Sequence, residues 1–162
     1  MRITKRGSYR ILFSGMNLQL QKGKIGNWMI TTSDLSLVNK GFSEVCEGIY
    51  VLHLPPECLH MHSAYKRRMY CIYAGYKYSI ETIIGDLAVL YPEEKKTRRA
   101  LGLHIYDDSR LKVFYEDFIA STSLVWEERE AIQGFVFDVP QHVYLYKDGE
   151  YLCGCTTEDR DI

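Results

Sequence analysis

What most constrains this chain is a near-repetition of its own pattern. Tyr9-Arg10-Ile11-Leu12-Phe13-Ser14-Gly15-Met16-Asn17-Leu18-Gln19-Leu20 lies over Met69-Tyr70-Cys71-Ile72-Tyr73-Ala74-Gly75-Tyr76-Lys77-Tyr78-Ser79-Ile80 without a gap. The glycines coincide at an offset of 75 − 15 = 60, and the apolar positions follow them. One residue of slippage then lays Gly26-Asn27-Trp28-Met29-Ile30 on Gly85-Asp86-Leu87-Ala88-Val89. Further on, Ile49-Tyr50-Val51-Leu52-His53 falls on Leu111-Lys112-Val113-Phe114-Tyr115, an offset of 111 − 49 = 62. Each copy reads as a strand, a glycine kink, a strand, a turn and two more strands, since glycine in a strand path marks a bulge or sharp bend. A unit of about sixty residues buries too little surface to stand alone, so the copies should share a core or pack tightly.

The 13 Tyr, 6 Phe and 2 Trp support strands, because aromatic side chains suit a pleated, half-buried surface. In Tyr76 to Glu81 the alternation sorts Tyr76, Tyr78 and Ile80 onto one face and Lys77, Ser79 and Glu81 onto the other. Asp148-Gly149, between Val143–Lys147 and Glu150–Cys153, predicts a tight two-residue hairpin. Helix is expected mainly over Ser121 to Ile132, with a Ser or Thr N-cap, early acids and Gly134 as its stop. A further turn or two should follow Pro55-Pro56. Pro92 to Arg99 reads as a charged, exposed connection, and Asp107-Asp108-Ser109 as a turn. The fold class expected is mainly β (α+β with little helix) and antiparallel. Two similar four-stranded units form curved sheets or small barrels, and a C-terminal hairpin follows. The boundaries read as 1–66, 67–134 and 135–162, the last being hairpin and acidic tail, together making one globule.

Hydrophobic residues at 46% allow a proper core, and 20 Lys and Arg against 21 Asp and Glu give a net charge of −1. That balance removes the electrostatic case for a general nucleic-acid binder, which carries a basic surplus. No apolar run reaches membrane-spanning length, so no membrane partner is expected either. The opening Met1 to Gly7 carries charges without an apolar stretch behind them, and the five cysteines are an odd number. Both point to a cytoplasmic protein with reduced thiols.

His53, Cys58, His60 and His62 crowd into ten positions and offer imidazole and thiolate to a metal. Against that stand the missing second cysteine pair and the electropositive Tyr65-Lys66-Arg67-Arg68 next door. Cys153-Gly154-Cys155 is too closely spaced for the usual redox pair, and a Cys nucleophile served by His104 or His142 has no local signature. No nucleophile elbow, P-loop, dinucleotide fingerprint or zinc-protease motif is present. No cofactor is expected. Locally, Lys66, Arg67 and Arg68, then Arg98 and Arg99, form basic runs, while Glu127 and Glu128 with Glu130 form an acidic one. Tyr65, Lys66, Arg67, Arg68, Arg98, Arg99, Glu127 and Glu128 are the candidate protein-binding residues, since Tyr and Arg are favoured at interface hot spots and charges steer association.

Phe13-Ser14-Gly15, Gly41-Phe42 and Tyr73-Ala74-Gly75-Tyr76 give the chain the overall character of a small, Tyr-rich β protein. In that character it resembles bacterial immunity proteins that neutralise a cognate toxin. The resemblance implies a non-enzymatic protein-binding module, an immunity or inhibitor protein acting by surface occlusion on another protein such as a toxin. Two alternatives stand beside it. One is a metal-dependent or Cys/His enzyme using His60 and His62. The other is a cupin-like small-molecule-binding barrel, because His60-Met61-His62, Gly75, Gly85-Asp86-Leu87 and Pro92 resemble the cupin order of elements. Cupins expect an acidic ligand where this chain has Lys66, Arg67 and Arg68.

Overall fold

The glycines of the repeated pattern turn hairpins; they do not kink strands. In the computed structural model, which describes residues 2–5, 7–104 and 109–152, strand β1 (Tyr9–Phe13) folds back on β2 (Met16–Lys22) through Ser14-Gly15 alone. Both turn residues have positive φ, 51° and 76°. Positive φ at both central positions matches the right-handed twist of the flanking strands, so a two-residue connection suffices. Ala74-Gly75 does the same at 49° and 84°, and Asp148-Gly149 at 47° and 90°.

The remaining strands are β3 (Trp28–Thr32), β4 (Ser43–Cys46), β5 (Ile49–Leu54), β6 (Ser63–Tyr73), β7 (Tyr76–Ile84), β8 (Leu87–Tyr91), β9 (Leu111–Phe114), β10 (Thr122–Ala131), β11 (His142–Lys147) and β12 (Glu150–Tyr151). The protein is mainly β, its strand ladders are antiparallel, and among the described residues the strand order does not close on itself. Among the described residues no helix is long and apolar enough to cross a membrane. The chain divides into two units. One comprises residues 1–6, 68–128 and 141–159, the other 7–67, 129–140 and 160–162.

In the unit built on 7–67, β1 pairs with β2 and with the first half of β6, β2 with β3, β3 with β5, and β5 with β4. Its core holds Ile11, Leu18, Leu20, Trp28, Ile30, Leu54 and Ala64 on the inner sheet face, covered by Leu37, Phe42, Leu59, Ile132 and Phe135. Leu37 comes from a 3₁₀ turn over Leu35–Lys40 whose N-cap, Asp34, accepts a bond from the Ser36 N–H. Leu59 comes from the turn Pro56–Met61, which starts on a proline as expected.

In the unit built on 68–128, the second half of β6 pairs with β7, β7 with β8, and β8 with β9. Helix α1 (Lys95–Ala100) lies between β8 and β9, and α2 (Tyr115–Ser121) follows β9. The core gathers Met69, Cys71, Tyr78, Ile80, Ile83, Ala88, Leu90, Phe118 and Val125, with Ile3 from the N-terminal segment.

The two units repeat one plan at closer register than the sequence offsets. Leu20 faces Ile30 and Ile80 faces Leu90, so Ile30 and Leu90 correspond at 90 − 30 = 60 with no slippage. Leu52 faces Ile30 and Leu111 faces Leu90, giving 111 − 52 = 59 in place of 62. The helical turns keep step as well, from Leu35 to Lys95, 95 − 35 = 60. The slippage inferred from sequence is produced by the connections. Five residues join β2 to β3, whereas Gly85-Asp86 alone joins β7 to β8, and a bulge at Glu81 restores the phase.

Two sequence expectations are corrected. The helix expected over Ser121 to Ile132 is not formed: Ser121 ends α2, and Thr122–Ala131 is the ten-residue strand β10, in which Val125 faces Tyr146 and Trp126 faces Tyr144. Its acids and cap favour a helix locally, but burial of Val125 and Trp126 against sheet neighbours outweighs propensity differences of tenths of a kcal/mol per residue. The Pro92–Arg99 connection contains α1, and its Thr97 and Arg98 are buried. Asp107-Asp108, the Cys153-Gly154-Cys155 pair and the acidic tail lie outside the described residues.

Candidate functional site

On the β8–β9 side of the 68–128 unit large apolar side chains are exposed together. Alternation along β9 sends Leu111 and Val113 inward, leaving Lys112 and Phe114 on the outer face with Arg110 just ahead of the strand. Among the described residues β9 has a ladder on one side only, to β8. Phe114 is 68% exposed, directly across from Leu87 at 40%, which in turn lies across from Ile84 at 42%. Residues directly opposite share a sheet face, so these three large apolar side chains form one exposed row. The next positions up are Thr82, Val89 and Lys112.

Above that row the surface turns basic. The Arg110 guanidinium stands 5.0 Å from the Tyr91 ring centroid, and its Nε donates to Glu81 Oε2 at 2.8 Å. Helix α1 adds Lys95, Lys96 and Arg99, all exposed, and a cavity of about 350 Å³ opens among Tyr91, Glu93, Lys95, Arg98 and Arg99. Arg98 anchors this corner. Nη1 donates to the Pro92 carbonyl at 3.2 Å and Nη2 to the His104 carbonyl at 3.0 Å, while the Thr97 hydroxyl donates to the Lys77 carbonyl at 3.2 Å.

The residues singled out from sequence are scattered. Tyr65, Lys66, Arg67 and Arg68 are consecutive in the middle of β6 and not in a connection, so they alternate between faces. Tyr65 is buried, its hydroxyl accepting from Asn17 Nδ2 at 3.0 Å, with the Arg129 guanidinium 4.6 Å from its ring centroid. Arg67 is buried too, its N–H donating to the Ser8 carbonyl at 2.7 Å. Arg68 is exposed and Lys66 half-buried. Of the acidic run, Glu127 is buried and Glu128, half-buried, accepts from Trp126 Nε1 at 3.2 Å.

The metal alternative loses its donor set. Cys58 and His60 lie within the turn Pro56–Met61, which stands between His53 on β5 and His62 just past the turn. His53 meets Asn27 at 3.5 Å and His62 packs against the Phe13 ring at 5.8 Å. Among the described residues no group of three or more His, Cys, Asp or Glu side chains comes together to hold a metal. Cys71 offers no thiolate, since burial pushes its pKa up to about 12.

Arg110, Lys112, Phe114, Leu87 and Ile84 escaped the sequence reading. The available signal was the alternation in Leu111-Lys112-Val113-Phe114, which puts a large aromatic on the same phase as a lysine. Taken together, fold and surface define an antiparallel β protein with an exposed apolar row, Lys112 next along β9 and the exposed Asp86 and Glu116 just beyond the strand ends. No protein-family model, no curated protein and no solved structure matches the chain.

Proposed function

We propose that this chain is a non-enzymatic protein-binding module, an immunity or inhibitor protein that blocks a partner protein by covering its surface. The observation that carries the reading is the exposed row Ile84, Leu87 and Phe114 beside β9, which among the described residues has a ladder on one side only. Exposed aromatic anchors rimmed by charge are the usual composition of interface hot spots. The partner offers an apolar side chain to the row and a carboxylate to Lys112, which stands two residues from Phe114 on the same face of β9. An extended segment of such a partner can pair with β9 on the side away from β8, taking affinity from main-chain bonds and selectivity from side chains. The test is selection from a random-peptide display library against the wild type and Phe114→Ser. Enriched sequences should set Asp or Glu beside an aromatic or aliphatic residue and should lose binding to the variant. Enrichment without acidic bias, or equal binding to Phe114→Ser, would overturn the reading.

A further inference from the structure

A second concavity belongs to the 7–67 unit, and its chemistry differs. At one end of the inner sheet face the ladder reads Lys66–Tyr9–Leu20–Ile30–Leu52, and the row beyond it Lys22–Trp28–Leu54. Directly opposite residues share a face, so Lys22 and Lys66 sit on the face that otherwise carries the core. With Tyr9, Trp28, Gly26 and Ile132 they line a cavity of about 370 Å³. That volume falls in the lower part of the range for small-molecule pockets, roughly 300–1,000 Å³.

Charge and shape agree on the occupant. Tyr9 and Trp28 pack edge to face at 5.1 Å, and Lys22 Nζ stands 5.5 Å from the Trp28 ring centroid. Among the described residues no Asp or Glu lines the cavity and neither lysine is paired with a carboxylate. Two such cations at the mouth of a concavity concentrate anions. The other unit closes the matching corner. There Ile83 faces Ala88 as Lys22 faces Trp28, both are buried, Met69 takes the place of Tyr9, and Ile3 packs into the same cluster. One plan thus ends in a filled corner in one unit, where Lys5 pairs with Ile83 and its Nζ donates to the Ile80 carbonyl at 2.8 Å, and in an open cationic one in the other.

We propose that this cavity binds a small organic anion built on a planar ring, the ring lying against Trp28 and Tyr9 and the charge meeting Lys22 and Lys66. A phosphate or a carboxylate can supply the charge, and titration calorimetry on the full chain separates the two. The probes are adenosine 5′-monophosphate and indole-3-acetate, with adenosine and inorganic phosphate as partial ligands. At least one ring anion should bind, and each partial ligand should bind at least about tenfold more weakly, the equivalent of one lost contact. Lys22→Met and Lys66→Met should each weaken the ring anion by about tenfold while keeping the aliphatic stem over the rings. Which anion binds identifies the source of the charge. Three results would overturn the proposal: no ring anion binding at about 1 mM, inorganic phosphate binding as tightly as the nucleotide, or full affinity in Lys22→Met/Lys66→Met. Lys22 is exposed, so its single variant decides the matter if the double one does not fold.

Discussion

Ala74 is the weakest residue of the three hairpin turns, and replacing it tests the repeated plan. Its φ is 49°, in the left-handed region, and it is followed by Gly75 at 84°. An L-residue with a Cβ costs roughly 1–2 kcal/mol there, whereas Asn tolerates the conformation through local bonds of its short side chain. The Ala74 methyl is exposed, and its N–H donates to the Ser121 carbonyl at 2.9 Å, a bond that Asn keeps. Ala74→Asn should therefore stabilise by about 0.5–1 kcal/mol, or about 1–4 °C in Tm for a chain of this length. At Gly75 a Cβ would meet nothing within 4 Å, so Gly75→Ala isolates the conformational cost, about 1 kcal/mol destabilising. Ser14→Asn and Gly15→Ala should repeat these signs, because Ser14 and Gly15 occupy the same turn at 51° and 76°. Urea denaturation read by circular dichroism measures all four. A destabilising Ala74→Asn together with a neutral Gly75→Ala would refute the turn assignment and the shared register.

The exposed Cys46 should react with a thiol reagent in the native state while buried Cys71, with its pKa pushed up to about 12, stays silent until unfolding. Denaturing, non-reducing titration should then find all five thiols of the sequence free. Arg98→Ala should cost about 2–4 kcal/mol by stranding the Pro92 and His104 carbonyls, whereas exposed Arg99→Ala should change stability by no more than about 0.5 kcal/mol in the same melts. Burial holds the His62 imidazole below its ordinary pKa of 6.5, so at intermediate pH the unfolded chain takes up that proton more readily. Its contribution should be complete above pH 6.5 and decline as pH falls through the lowered value, a decline that His62→Gln should remove from the stability–pH profile.

The repeated plan was legible because turn chemistry is local. Ser14-Gly15, Ala74-Gly75 and Asp148-Gly149 announce themselves in any strand-rich chain, although only the ladder shows that the first two are full reversals. Spacing between strands was less legible. The Glu81 bulge and the unequal turns after β2 and β7 leave no compositional trace, so the alignment absorbed them as false slippage. The helix expected over Ser121 to Ile132 failed for a tertiary reason, because Glu127, Glu128 and Glu130 suit a helix while Val125 and Trp126 need sheet neighbours. Charge runs misled most. Lys66-Arg67-Arg68 looks like a solvated connection, yet a strand interior alternates its faces, and Arg67 is drawn in while Arg68 stays out. The β9 surface was hidden for the opposite reason, as its cations and its phenylalanine are separated by inward-facing residues.

The binding account is tested most directly by the kinetics of a display-selected acidic peptide on immobilised protein across a range of ionic strength. Association should slow as salt rises and slow further in Lys112→Glu, since rim charges act on the on-rate. Phe114→Ser should chiefly speed dissociation, as expected for loss of an anchor. Association independent of salt, with both variants matching the wild type, would contradict a partner docked on the β8–β9 face.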